Sequence, residues 1–251
     1  MEWSGEGYAA ISGLQKWLAD ESLAQLQWRH RDEVLDLGCG DGKITAQIAP
    51  LVARALGVDF SQSMVDFARA HHRLENLSYV QGDARTFRCD STFDRIVSFN
   101  ALHWIPEAEQ PQVFATLAAG LKPKGQAHVR LVGEGPQKSL EDVLEDVRRL
   151  PRWSEFFAGY SQPFCHPTLE QVREWAAQAG LKLVEHRLEQ KYWDFGSRAA
   201  FEHWGNTTMV NWYAQVPAER REEFVRDVID HYFSPQVFTF YQLVFELRPG
   251  N

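Results

Sequence analysis

The sequence predicts an α/β fold. It is a mostly parallel sheet with helices before it and a helical cap inserted around its last two strands. Three observations carry this reading. Apolar runs alternate with helical stretches from residue 33 to residue 132, the rhythm of right-handed βαβ units. The run Phe93–Phe99 has the apolar weight of a strand buried on both faces. Finally, Val34-Leu35-Asp36-Leu37 runs straight into Gly38-Cys39-Gly40-Asp41-Gly42, a strand, a tight glycine turn and the start of a helix, where nucleotide-like cofactors sit.

Taken in order, residues 8–27 read as one or two helices, with Tyr8, Ile11, Leu14, Leu18, Leu23 and Leu26 at helical spacing. They would either pack over the domain or act as a lid. The first strand is 33–37. A helix starts near Asp41, a good N-cap type, and Pro50 stops it near Ala49. The second strand is 53–58, ending at Asp59, and Ser61-Gln62-Ser63 caps a helix carrying Met64, Val65, Phe67 and Ala68. The third strand, 77–81, ends in Gly82-Asp83. The fourth is 93–99, followed by a helix over 107–119. Residues 121–125 read as a turn and 126–132 as the fifth strand. Helices follow at 139–149, 152–160 and 168–179, and 181–192 is a long strand. Residues 198–233 read as helical, with Pro217 at a helix start, and 237–247 is the last strand. There are no repeats and no linker. The expectation is therefore a single domain over 1–251: an N-terminal helical lid (1–30), a cofactor-binding core (31–135), cap elements with the sixth strand (136–235) and the last strand (236–251).

Composition excludes several classes. The formal charge is −8 with no basic tract, which argues against nucleic acid as the main partner. No apolar run reaches membrane-span length, and the first residues lack the basic start and apolar core of a signal peptide. The three cysteines, Cys39, Cys89 and Cys165, have neither metal nor disulfide spacing. No metal site is expected, and a reducing cytoplasm suits the chain. Nine Trp and sixteen Phe are enough for a large core or an apolar pocket.

The glycine turn alone is ambiguous. Gly38-x-Gly40-x-Gly42 places its third glycine one position too early for the dinucleotide fingerprint, and Asp36 is an acid that dinucleotide sites do not require. Asp59, at the end of the second strand, could accept ribose hydroxyls or cap a helix. Met64 could lie against a purine. Asp83 could accept an adenine amino group or simply turn the chain. The glycine turn, Asp59 and Asp83 together, at the carboxyl ends of three consecutive strands, are harder to explain structurally.

Val34–Thr45, Gly57-Val58-Asp59-Phe60-Ser61-x-x-Met64, Gly82-Asp83-Ala84 and the run from Phe93 to Asn100-Ala101-Leu102-His103-Trp104 together resemble successive motifs of class I S-adenosylmethionine-dependent methyltransferases. The resemblance covers roughly residues 33–132. It implies a seven-stranded Rossmann-like sheet whose last strand is antiparallel, with S-adenosylmethionine as cofactor. It further implies that the Gly38–Gly42 backbone meets the methionine portion, Asp59 the ribose, Asp83 and Ala84 the adenine, and the Asn100 backbone the methionyl amino group. Asp36, Cys39, Phe60 and Met64 complete the expected cofactor set.

Asn100–Trp104, Tyr8-x-x-x-Ser12-x-x-Gln15 and Phe201-x-x-Trp204-x-x-Thr207 resemble the group containing trans-aconitate and juvenile hormone acid methyltransferases. That implies O-methylation of a carboxylate on a small-molecule acceptor, with Gln15 and Trp104 as candidate donors to it. A carboxylate is already ionised at neutral pH and needs no base. A phenolic or amine acceptor would need one, and His103 is the candidate. The many aromatics and few basic residues after 136 favour an acid with an apolar body over a polyacid, with Arg148, Arg149, Arg152, Lys191 and Arg198 as possible exceptions. A non-catalytic cofactor-binding subunit and a nicotinamide oxidoreductase are the competing classes. The intact Asp36, Gly38, Gly40 and Asp59 count against the first, and the glycine spacing against the second.

Overall fold

The structure, a computed structural model, describes residues 13–250. Its centre is a seven-stranded sheet in the order β3-β2-β1-β4-β5-β7-β6. The strands are β1 Glu33–Leu37, β2 Arg54–Asp59, β3 Leu77–Gln81, β4 Phe93–Phe99, β5 Leu121–Val132, β6 Leu181–Asp194 and β7 Val237–Pro249. The pairs from β3 through β5 are parallel, and β7 joins β5 antiparallel. The expected sheet, including its antiparallel end, is therefore present.

Period-two alternation assigns each strand residue to a face. One face carries Leu35, Leu37, Ile96, Val129 and Leu131. They are buried against Phe114 and Leu117 of helix α4 (Gln110–Gly120) and Val172 and Trp175 of α6 (Leu169–Gln178). The other carries Val34, Ala55, Val97 and Phe99 against Ile48 of α2 (Lys43–Ile48) and Leu26, just past α1 (Gly13–Gln25). Helix α3 (Gln62–His71) starts at Ser61, whose hydroxyl accepts the Met64 N–H as expected of a cap, and buries Val65 and Ala68. Leu14 and Leu18 give α1 its buried side. Tyr8, Ile11, Ser12 and the side chain of Gln15 lie outside the described residues.

Four local readings are corrected. Asp41 is not the N-cap of α2: Gly42 is, at φ 79°. The turn expected at 121–125 belongs to β5. Leu121 pairs with Phe93, the register then slips, and Gln126 pairs with Arg95. Pro123 and Gly125 mark that irregularity, not a chain reversal. The helix expected at 152–160 is only a short 3-10 turn, Ser154–Phe157; Trp153 and Phe157 are buried at helical spacing without forming an α-helix. Residues 198–233 divide into α7 (Arg198–Thr208), α8 (Val210–Tyr213) and α9 (Arg221–His231). Pro217 opens a 3-10 turn, Ala218–Arg220, not the long helix.

The chain forms two compact units. The first takes in the chain through Gly133, Phe164–Leu188 and the chain from Gln242 onward; the second is Glu134–Pro163 with Glu189–Tyr241. The second unit covers much of the stretch expected as cap, without 164–188. In it α9 packs on α7 and on α5 (Leu140–Val147), burying Phe224, Val225, Val228 and Ile229. The indole N–H groups of Trp153 and Trp212 donate to the buried carboxylates of Asp227 (2.6 Å) and Glu145 (2.9 Å). Those aromatics are core.

Candidate active site

The site follows from the strand order. From β1 the chain crosses to β2 on one side, and from β4 it crosses to β5 on the other, so β1 and β4 are neighbours whose connections diverge. Such a switch point leaves a crevice at the carboxyl ends of the two strands. The glycine turn leaves β1 there, and Asn100-Ala101 leaves β4 there.

The turn is built from backbone constraints. Gly38, Gly40 and Gly42 all have positive φ, a region glycine enters without steric cost. Gly38 is also a close approach: a Cβ there would lie 2.2 Å from the Ala101 Cβ, which fixes the β1 end against the β4 end. A Cβ on Gly40 would meet nothing within 4 Å. Its φ needs glycine, while the space beside it is open.

Acidic groups hold the turn. Asp59 accepts the Gly40 N–H at 2.8 Å on one oxygen and the Ser61 N–H at 2.9 Å on the other. Burial nonetheless pushes its carboxyl up, opposed by those two donors. Asp36 lies beneath the turn, 1% exposed, and accepts the Thr45 hydroxyl at 2.6 Å. Burial raises its pKa to about 7; the Thr45 hydrogen bond pulls it down, and the charges of Asp59 and Asp41 raise it further. Cys39 is buried beside them and its thiol is pushed up by burial, then by Asp36 and Asp59. It is no nucleophile.

The purine-side residues are less uniform. Phe60 is 58% exposed, whereas Met64 is buried at 4%. Ala84 is half-buried against the core. Asp83 receives the Arg85 backbone N–H at 2.9 Å and its Nε at 2.8 and 2.9 Å on the two oxygens. The guanidinium, which also pairs with Glu109, holds the Asp83 carboxyl below its usual range. Any further donor to Asp83 has to compete with Arg85.

At the β4 end Asn100 has φ 54°, the one positive value outside glycine among the described residues. Asn is among the few residues that tolerate this region, and such conformations cluster at functional sites. His103 is 3% exposed, 5.1 Å from the Trp104 ring and 6.0 Å from that of His166. Burial, then the neighbouring His166, lowers its pKa well below 6.5. Trp104 is half-buried.

The structure thus brings Asp36, Gly38, Cys39, Gly40 and Asp59 to the end of β1 and β2, with Asn100, His103 and Trp104 after β4. Sequence reading missed Thr45, Tyr79, whose hydroxyl donates to the Gly42 carbonyl at 2.9 Å, and Ser98, whose hydroxyl donates to the Leu37 carbonyl at 2.6 Å. Tyr79 was accessible in principle as the inward aromatic of β3.

Residues 34–125 match the family described as "Methyltransferase domain". Over those residues the chain carries a methyltransferase domain, and it is similar to S-adenosylmethionine-dependent methyltransferases. Its cofactor is S-adenosylmethionine, and the site fits that group: open space beside a left-handed glycine and a carboxylate at the β2 end. The methyltransferase chain is 24% identical to the juvenile hormone acid O-methyltransferase of Bombyx mori, over 89% of this chain and 84% of that one. It is 34% identical to the trans-aconitate 2-methyltransferase of Deinococcus radiodurans, over 52% of this chain and 50% of that one. The phosphoethanolamine N-methyltransferase 2 of Haemonchus contortus, solved with S-adenosyl-L-methionine, shares the fold at TM-score 0.61 and 17% identity, covering 98% of this chain and 57% of that one. Among the described residues no helix is long and apolar enough to cross a membrane, and no cluster suits a metal ion.

Proposed function

We propose that this methyltransferase O-methylates a carboxylic acid with an apolar body. The observation that carries the reading is the burial of His103. It is the titratable side chain that follows the β4 end, and it is sealed among aromatic rings with a depressed pKa. Such an imidazole is a weak proton acceptor. A carboxylate acceptor arrives ionised and asks for none. The names of the Bombyx mori and Deinococcus radiodurans relatives point the same way.

The apolar body is favoured by what the candidate cations do. Arg148 and Arg149 donate to Glu145 at 2.7 and 3.2 Å. Arg152 pairs with Asp227, Lys191 with Glu189, and Arg198 with Glu202 and Asp230. All five are engaged inside their own unit and make a poor tricarboxylate site.

The bound cofactor supplies an electrophilic methyl on a sulfonium sulfur. The protein's part is to hold, orient and dry. The Gly38–Gly42 turn and Asp59 form the cradle, and Asn100 offers its left-handed backbone beside it. The Trp104 indole N–H orients the acceptor carboxylate as a neutral donor, with the Gln15 amide as the second. Neutral donors aim a carboxylate without quenching its nucleophilicity. The test is mass spectrometry of a mixed library of acids, phenols and amines incubated with S-adenosylmethionine. The expected product is a +14 Da methyl ester of an apolar acid, cleaved by mild base. A base-stable ether or methylamine as the main product overturns the acid assignment, and a polyacid ester overturns the apolar body.

A further inference from the structure

Arg130 is a buried cation on β5, 2% exposed, with partners in three parts of the fold. Its Nη1 donates to the Leu18 carbonyl of α1 at 2.6 Å and to the Ser22 hydroxyl, and its Nη2 donates to Glu21 at 2.9 Å. Its Nε donates to the side-chain oxygen of Gln242 on β7. Gln242 is fully buried, and its amide N–H donates in turn to the Asn100 side-chain oxygen at 2.9 Å. The Asn100 backbone N–H donates to the carbonyl of Arg130 itself at 2.7 Å. The register explains the meeting. Val132 pairs with Gln242 across β5 and β7, so Arg130, two positions away, shares a face with Gln242 as its diagonal neighbour. Phe99 pairs with Arg130 across β4 and β5, which puts Asn100 at the end of that ladder.

One residue thus grips α1 with its guanidinium and fixes both the main chain and, through Gln242, the side chain of Asn100. A left-handed non-glycine residue persists only where its surroundings over-determine it, and here they are determined from Arg130. The established chemistry does not require this arrangement, and packing alone does not require a charge: a buried cation demands satisfied partners.

We propose that Arg130 and Gln242 are positioning residues that couple the seating of α1 to the left-handed turn at Asn100, so that cofactor binding and the seating of α1 strengthen one another. The coupling rests on the reading of Asn100 as a cofactor contact. It is reciprocal: whatever factor a seated α1 adds to cofactor affinity, bound cofactor adds to the stability of α1.

The test uses the full chain, with hydrogen exchange of the 13–25 segment read with and without S-adenosylhomocysteine, and calorimetry for affinity. In the wild type the nucleoside should slow exchange in that segment by about tenfold. Gln242→Glu keeps an acceptor for Arg130 and removes the donor to Asn100. Ligand-free exchange of α1 should stay within about twofold of wild type, the ligand-induced slowing should vanish, and affinity should fall about tenfold. Asn100→Gly keeps the turn and drops the side-chain link, and should likewise lose the slowing; it serves if the Glu variant does not fold. Binding to the wild type with α1 exchange unmoved overturns the coupling alone, as does full slowing in both variants. A wild type that does not bind the nucleoside overturns the cofactor reading together with the coupling.

Discussion

The carboxylate of Asp59 accepts the backbone N–H of Gly40 at 2.8 Å, tying the end of β2 to the open corner of the turn that follows β1. The residue expected to meet the ribose is therefore also a strut of the cradle. Asp59→Ala should weaken S-adenosylhomocysteine binding by roughly 1.5–3 kcal/mol, about ten- to a hundredfold in dissociation constant. It should lower the melting temperature as well, because Gly40 and Ser61 lose their acceptor. Calorimetry and thermal unfolding of one preparation check both. Unchanged affinity would remove Asp59 from the cofactor site.

Gly38 and Gly40 should respond oppositely to the same methyl group. Gly38→Ala drives a Cβ to 2.2 Å from that of Ala101 and should destabilise the whole domain. Gly40→Ala meets no atom within 4 Å, so it should carry only the left-handed strain, about 1–2 kcal/mol. Its larger effect should be on ligand affinity, since the methyl enters the space beside the turn. Melting curves and calorimetry on the pair separate the two. Equal losses of stability would contradict the geometry.

Asp36 ionises near 3.8 when free and near 7 in the fold. Between those values the folded protein holds a proton that the unfolded chain lacks, so this carboxyl's contribution to stability falls as pH rises from about 4 to about 7 and is level beyond. Asp36→Asn removes that slope. The variant should gain on wild type from pH 5 to about pH 7 in chemical denaturation and hold that gain, without adding to it, at pH 8. Parallel stability curves would place the Asp36 pKa near its ordinary value.

Trp104→Phe keeps the ring and deletes the indole N–H. Turnover of the acid acceptor should fall with little change in cofactor affinity, the pattern of a donor that acts on the acceptor. Steady-state kinetics beside calorimetry reads it. A full-speed variant would end the carboxylate-donor role.

Much of this was legible from residues alone, for physical reasons. The apolar runs at 33–37, 77–81 and 93–99 are short, bounded and strand-like, and they appear with those limits. The glycine turn was legible because three alternate glycines have few other uses. Where reading failed, long-range pairing had overridden local signals. Pro123 and Gly125 look like a reversal until Leu121 is seen to pair with Phe93. Trp153 and Phe157 mimic a helical stripe because both are needed in one core. The purine-side reading saw Asp83 but not Arg85, two residues away, wrapped around it. Arg130 could not be singled out at all. It looks like an ordinary strand residue, and its importance comes from partners more than a hundred positions distant.

The hydrogen bond from Gln242 to Asn100 spans 142 positions of sequence. At ordinary rates of synthesis, about 5–20 residues per second, Asn100 is made roughly 7–30 s before its anchor exists. A nascent chain can pair β1 to β4 and form the glycine turn in that interval, with the Asn100 side chain still awaiting its donor. The last strand then arrives carrying Gln242, so completion of the sheet and fixing of the Asn100 side chain belong to the same late event on the ribosome.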